Sequence, residues 1–169
     1  EAVALLKETE FYPHNLGEVK LSNAEENEVY YYKGIAYQKL GNDAESTKYL
    51  MKATQGSTEP QQAFYYNDQQ PDKIFYQGLA WRALGEENKA RSRFNKLIDH
   101  GKKHLFDDCK IDYFAVSLPE LAIWEDNLNI RNQIHCYYVM ALGYSGLGKE
   151  ELAEEYYEKV KRLDVNKQV

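Results

Sequence analysis

Residues 74–85, IFYQGLAWRALG, carry the pattern that decides the fold of this chain. Their apolar side chains recur at helical spacing, and the stretch ends in a Leu-Gly pair. Similar stretches occur at residues 30–41 (YYYKGIAYQKLG) and 137–148 (YYVMALGYSGLG). Because glycine readily adopts the left-handed conformation that ends a helix, each pair predicts a helix that stops and turns. The chain therefore contains three copies of one supersecondary unit.

The spacing within each copy predicts how its helices pack. A small residue lies between two large ones on one face of the first helix, at Gly34, Gly78 and Ala141. Such a position lets a second helix approach closely. The helix after each turn carries one apolar stripe, formed by Ser46, Leu50 and Ala53, by Ala90, Phe94 and Leu97, and by Ala153, Tyr157 and Val160. We therefore predict helical hairpins that are buried on one side only.

These copies resemble the tetratricopeptide repeat, a unit of about 34 residues with the pattern W-x2-L-G-x2-Y, A-x3-F, P. The resemblance implies an all-α, right-handed solenoid of helical hairpins with two insertions. Aligned on the Leu-Gly pairs, the domain covers residues 27–169, with repeats at 27–60, 71–104 and 134–167 and insertions at 61–70 and 105–133. Residues 1–26 are predicted to form a truncated helix and a connector. Lys33 and Gln77 replace the consensus leucine.

Composition excludes several classes of protein. The chain has 169 residues, a length typical of one domain, and no apolar run long enough to span a membrane. Its 27 acidic residues outnumber 21 basic ones, which disfavours nucleic acid as the main partner because phosphate binding needs clustered positive charge. Two cysteines cannot form a disulfide scaffold.

One cluster of residues could suggest a metal site. His100 and His104 are followed by Asp107, Asp108 and Cys109. No recognised ligand spacing orders them, and Gly101 makes an uninterrupted helix between the two histidines doubtful. We interpret the segment as the polar end of a repeat, and we predict no metal, no cofactor and no catalytic residue.

A basic row also lies on the predicted second helix of the middle repeat, at Lys89, Arg93, Lys96 and His100. This row could attract an acidic ligand. In the resembled family, however, second helices usually lie on the convex, solvent-facing side, and the net charge of the chain is −6. We therefore expect a solvated helix face.

The resemblance places a binding groove on the concave side, along the first helix of each repeat. The corresponding residues are Tyr31, Ile35, Gln38, Phe75, Leu79, Arg82, Tyr138, Leu142 and Ser145. Family members that clamp a peptide carboxylate have Lys and Asn where this chain has Tyr31 and Ile35, so that mode is not expected. The groove is predicted to be aromatic and to bind a protein. Alternatively, the second insertion or an upstream domain fills it.

Residues 11–21, 66–72 and 112–119 add a second resemblance, to the C-terminal repeat region of large bacterial proteins with an upstream carbohydrate-enzyme-like β domain of uncharacterised activity. It implies a non-catalytic interaction or scaffold module that binds a partner or its own upstream domain. The alternative is an accessory role in a carbohydrate-active enzyme, with a glycan stacked on Tyr65, Tyr113 or Trp124. Because the helical pattern is already present at the first residues, we expect that helix to continue upstream.

Overall fold

The computed structural model describes residues 2–9, 26–62, 68–110 and 127–164. Within these ranges the chain forms seven helices and no strand. They are α1 (Ala2–Glu8), α2 (Asn27–Lys39), α3 (Asp43–Ala53), α4 (Pro71–Ala83), α5 (Glu87–His104), α6 (Leu128–Gly146) and α7 (Glu150–Leu163). The pairs α2–α3, α4–α5 and α6–α7 pack as hairpins, which confirms the predicted all-α repeat fold. None of these helices is both long and apolar enough to cross a membrane.

All three hairpins turn in the same way. Gly41, Gly85 and Gly148 have φ angles of 72°, 81° and 70°. In each turn the glycine N–H donates to the carbonyl three residues back, and the next N–H donates to the carbonyl five residues back, at 2.9–3.0 Å. A Cβ on any of these glycines would meet nothing within 4 Å, so the backbone conformation, and not crowding, requires glycine here.

Close packing within the hairpins follows the predicted pattern of small and large residues. A Cβ added at Gly34 would lie 2.6 Å from Cγ of Leu50, and one at Gly78 would lie 2.7 Å from Cζ of Phe94. In the third hairpin Ala141 is completely buried. In the first two hairpins the small residue of the first helix therefore lies at the place where the second helix approaches.

Helix α5 is the centre of the packing, because it contacts both α4 and α6. The Phe94 ring is completely buried and lies against glycines of both neighbours, Gly78 of α4 and Gly146 of α6. Gly143 fits against Ile98 of α5, where a Cβ would lie 2.6 Å from Cγ1. These contacts between repeats bring α5 and α6 close together along their length.

The expectation that Gly101 would interrupt the helix is wrong, since α5 continues to His104. The reason is packing: a Cβ at this position would lie 2.5 Å from Cγ of Met140 and 2.6 Å from the carbonyl oxygen of Cys136. Gly101 therefore permits the approach of α6. The cost of glycine in a helix interior, about 1 kcal/mol, is offset by this close packing.

The junction between α5 and α6 differs from the predicted boundaries. Helix α6 begins at Leu128, so residues 128–133 of the predicted second insertion are helical. The Asn127 side chain accepts hydrogen bonds from two backbone N–H groups and caps this helix. Asn132 is fully buried, and its Nδ2 donates a hydrogen bond to the His104 carbonyl oxygen at 2.7 Å. This bond supplies a partner for a carbonyl group at the carboxyl end of α5.

The predicted N-terminal connector lies largely outside the described residues.

Candidate functional site

The first helices α2, α4 and α6 lie side by side and present a row of aromatic rings. We use the name aromatic face for Tyr31, Tyr32, Phe75, Tyr76 and Tyr138. Ring centroids are 5.3 Å apart for Tyr31–Tyr32, 5.7 Å for Tyr31–Tyr76, 5.6 Å for Tyr32–Tyr76 and 5.7 Å for Phe75–Tyr76. Phe75 and Tyr138 pack against the same buried cluster. The rings therefore bridge helices of successive repeats.

Two members of this face, Tyr32 and Tyr76, were not among the predicted groove residues. Their hydroxyl oxygens are 3.1 Å apart and form a hydrogen bond. Tyr32 remains 49% exposed, which makes it the most accessible ring of the face. The sequence did contain a signal for them, because each directly follows a predicted groove aromatic, Tyr31 or Phe75.

The other predicted groove residues differ in accessibility. Ile35 and Leu79 are half-buried, and Ser145 is half-buried in α6. Gln38 is exposed. Leu142 lies in the core, only 7% exposed, where it packs with Ile74, Leu97 and Val139. The structure thus places Leu142 beneath the face rather than on its surface.

Arg82 is an exposed member of the predicted set, but its guanidinium is engaged. Nε and Nη2 donate to the two carboxylate oxygens of Glu87 at 3.0 and 3.1 Å. The guanidinium carbon also lies 5.0 Å from the centroid of the Phe94 ring. Arg82 therefore forms a polar edge of the face and covers part of the core below it.

Burial disfavours the ionised form of Tyr31, Tyr76 and Tyr138. The pKa of Tyr31 is raised by burial and then by the neighbouring Tyr32. Burial and the hydrogen bond with Tyr32 raise the pKa of Tyr76, and burial followed by Asp72 raises that of Tyr138. At neutral pH these hydroxyls can both donate and accept hydrogen bonds.

The residues considered as a metal site have contacts of other kinds. His104 Nδ1 lies 2.6 Å from Oδ2 of Asp107, while the backbone N–H of Cys109 donates to Asn129. Across the described ranges, no group of three or more His, Cys, Asp or Glu side chains is arranged to hold a metal ion.

The basic row on α5 is not the open solvated face that was expected. Arg93 donates from Nε to Oε1 of Gln77 at 3.1 Å, and Lys89 lies over the Trp81 ring at 4.3 Å. Lys96 pairs with Glu59 and donates to Thr58 at 3.3 Å. Residues 55–62, which we call the first connector, cover this part of the helix.

Gln77 explains why the first connector runs there. It is completely buried, and its Nε2 donates to the carbonyl oxygens of Gln55 and Ser57, both at 2.9 Å. Asn27 Nδ2 similarly donates to the carbonyls of Ala53 and Gln55, both at 2.8 Å. A polar side chain at a consensus leucine position thus fixes the connector.

The residues named for glycan stacking, Tyr65, Tyr113 and Trp124, lie outside the described part of the chain. The aromatic face described above consists of residues on the first helices α2, α4 and α6.

Comparison with known families gives matches on all three hairpins. A family model described as tetratricopeptide repeat matches residues 28–55 and 134–166. A second model, also described as tetratricopeptide repeat, matches residues 74–100. Together the matches cover just over half of the chain. No solved structure gives a significant match.

Proposed function

Because the chain belongs to the tetratricopeptide-repeat family, we propose that it binds a protein segment through its aromatic face, either on a separate partner or in an upstream domain of its own polypeptide. Repeats of this family generally mediate protein–protein interaction or scaffolding, and modules built from them are typically non-catalytic. The observation that carries the proposal is the set of ring contacts that joins α2 to α4, together with Tyr138 of α6, which packs against the same buried cluster as Phe75.

The chemistry of these rings suits a protein ligand. Tyrosine offers a large apolar area together with a hydroxyl, and its two side-chain torsions lose little entropy on binding. Tyr32 is about half exposed, and the rings of Tyr31 and Phe75 are half-buried. An extended peptide could cover these rings and exchange hydrogen bonds with the hydroxyls of Tyr32 and Tyr76.

The edge of the face is polar, as in many protein interfaces. At the helix starts Lys73 of α4 pairs with Glu28 of α2, with its Nζ 2.6 Å from Oε1. At the helix ends lie the exposed Gln38 and the Arg82–Glu87 pair. A ligand that covers the rings would therefore have polar and charged side chains around its edge.

The proposal can be tested by selecting peptides from a random phage-displayed library on the immobilised chain. Binding of the selected peptides is then measured by fluorescence anisotropy. We expect the triple variant Tyr31→Ala/Phe75→Ala/Tyr138→Ala to lose about tenfold or more in affinity, since truncation of a central aromatic anchor costs more than about 1 kcal/mol. Circular dichroism establishes that the variant is folded.

Two further variants separate binding from folding. Gln38→Trp adds bulk at an exposed position of the face and should also weaken binding. Phe106→Ala is the matched control, because this side chain is 83% exposed, follows α5 and is not part of the aromatic face. An empty selection, peptides that bind the face variants with unchanged affinity, or an equal loss with Phe106→Ala would each reject the proposal.

A further inference from the structure

Two tyrosine hydroxyls meet where the first hairpin packs against the second. Tyr32 of α2 and Tyr76 of α4 form a hydrogen bond with 3.1 Å between their oxygens, and their ring centroids are 5.6 Å apart. The two residues are 44 positions apart in the sequence. Most side-chain hydrogen bonds go to backbone or water, so a bond between phenols of two repeats is a specific arrangement. This pair has a chemistry of its own, which needs no bound ligand.

The chemistry in question is one-electron oxidation. A tyrosine that loses an electron and its hydroxyl proton becomes a neutral radical, whose unpaired electron is shared between the oxygen and the ring carbons ortho and para to it. Two such radicals in contact combine through their ortho carbons, the Cε atoms, to give dityrosine. In dityrosine each hydroxyl lies next to the new bond, so the two hydroxyls are neighbours, as they are in the native pair of Tyr32 and Tyr76.

Tyr32 is the place where an oxidant gains access. It is 49% exposed, whereas Tyr76 is half-buried. A radical on Tyr32 can take the hydrogen atom of the Tyr76 hydroxyl across the hydrogen bond, which restores the phenol of Tyr32 and moves the radical to Tyr76. A second oxidation of Tyr32 then gives two radicals in contact. The hydrogen bond thus provides the less exposed ring with a route to oxidation.

Neighbouring tyrosines lack this combination of features. The ring of Tyr31 lies 5.3 Å from that of Tyr32 and 5.7 Å from that of Tyr76, yet among the described residues its hydroxyl bonds to neither. Tyr37 and Tyr49 stack with 5.6 Å between centroids, but both rings are half-buried, and within the described ranges no hydrogen bond joins their hydroxyls. If ring distance alone governed coupling, these pairs would react as readily.

We propose that Tyr32 and Tyr76 form an oxidative cross-linking site, at which a haem peroxidase with hydrogen peroxide joins α2 to α4 by a carbon–carbon bond between the rings. Haem carries one-electron chemistry of this kind. Each ring gives up one electron and one proton, and one molecule of peroxide accepts both pairs and leaves as two molecules of water. After coupling, the hydrogen on each bonded carbon moves to the oxygen of its ring, which restores both phenols.

The cross-link would tie the first hairpin to the second. It joins residues 44 apart and so restricts the unfolded chain, as a disulfide does. We expect the melting temperature of the cross-linked monomer to rise by about 5–15 °C. An unchanged or lower melting temperature would contradict the proposal, because it would show that the rings must leave their native positions to couple.

Oxidation of the dilute, folded chain with a haem peroxidase and hydrogen peroxide tests the site. The monomer is isolated by size-exclusion chromatography, digested with trypsin and analysed by tandem mass spectrometry. Trypsin releases Tyr76 as the only tyrosine of residues 74–82. We expect this peptide to be joined to residues 21–33 through Tyr32, with the loss of two hydrogen atoms.

Variants that remove one hydroxyl separate the hydrogen bond from ring proximity. Tyr32→Phe keeps an aromatic ring and should abolish the link, and the Tyr76 peptide should be recovered unmodified although Tyr31 remains in ring contact with it. Tyr76→Phe should abolish the link as well. Tyr31→Phe is the matched control, because it removes a neighbouring hydroxyl outside the bonded pair, and it should leave the yield unchanged.

Three outcomes would overturn the cross-linking site. The first is an oxidised monomer without a bond between Tyr32 and Tyr76. The second is a bond between Tyr37 and Tyr49, or between Tyr31 and Tyr76, in equal yield, which would show that ring proximity is sufficient. The third is the same link in the same yield when the chain is oxidised in urea, which would show that the native arrangement has no part in the coupling.

Discussion

Replacing Gly146 by alanine tests the central packing contact of the fold. The new Cβ would lie 2.5 Å from Cγ of Phe94. The ring has little freedom to move, because it is completely buried and also lies against Gly78 and below the guanidinium of Arg82. Overpacking of this kind costs about 1–3 kcal/mol.

The substitution also has a favourable component. Alanine is a better helix former than glycine by about 1 kcal/mol, so helix propensity alone predicts a gain in stability. Since the ring cannot yield, we expect the steric cost to dominate and the free energy of unfolding to fall by about 1–2 kcal/mol. For a chain of this size that corresponds to a melting temperature lower by about 2–8 °C.

Urea unfolding followed by circular dichroism measures the effect. Ser92→Ala on the exposed side of α5 is the control and should change stability by only a few tenths of a kcal/mol. Phe94→Leu should relieve part of the clash, so the double variant should be more stable than the sum of the single effects by about 1 kcal/mol. A stabilised Gly146→Ala, or strict additivity with Phe94→Leu, would refute the assigned contact.

Further predictions concern other parts of the fold. Gln77→Leu should lower the free energy of unfolding by about 2–4 kcal/mol in urea, because two carbonyls of the first connector lose their donor; an unchanged midpoint would contradict its anchoring role. Gly148→Ala should cost about 1 kcal/mol by the same measurement, since its φ of 70° is strained for any residue with a Cβ. Burial raises the pKa of Cys136 to about 12 and, with Asp107 and Asp108, raises that of the partly exposed Cys109 as well. A thiol reagent at pH 8 should therefore modify Cys109 before Cys136, which should react only as the protein unfolds; equal rates would show that Cys136 is accessible.

The hairpins were predictable because their determinants are local. Each turn depends on a Leu-Gly pair and the few hydrogen bonds around it. The pairs Gly34–Leu50 and Gly78–Phe94 lie within one repeat, so the repeat alignment was sufficient to bring them together.

Contacts between repeats were harder to predict. Gly143 and Gly146 are needed because α6 lies so close to α5 that a Cβ at either position would clash with a side chain of α5. The spacing of residues within one helix does not specify how closely another helix approaches. The course of the first connector depends on the buried amide of Gln77, which in the sequence is only a departure from the repeat pattern. Leu142 lies in the core for the same reason, because α6 packs against more than one neighbour.

The two junctions of the array differ in their chemistry, and this has a mechanical consequence. The second and third hairpins are joined by an aromatic ring set among glycines. The first and second hairpins share an apolar cluster of Leu50, Ala53 and Ala80, but they depend in addition on polar contacts, namely the buried amide of Gln77 and the pair Lys73–Glu28. Water can replace the hydrogen bonds of amides and the contacts of ion pairs, whereas it cannot replace the apolar contacts of a closely packed ring. Under a stretching force or in mild denaturant, fraying should start at the amino-terminal hairpin, and the rest of the array should remain as one stiff block.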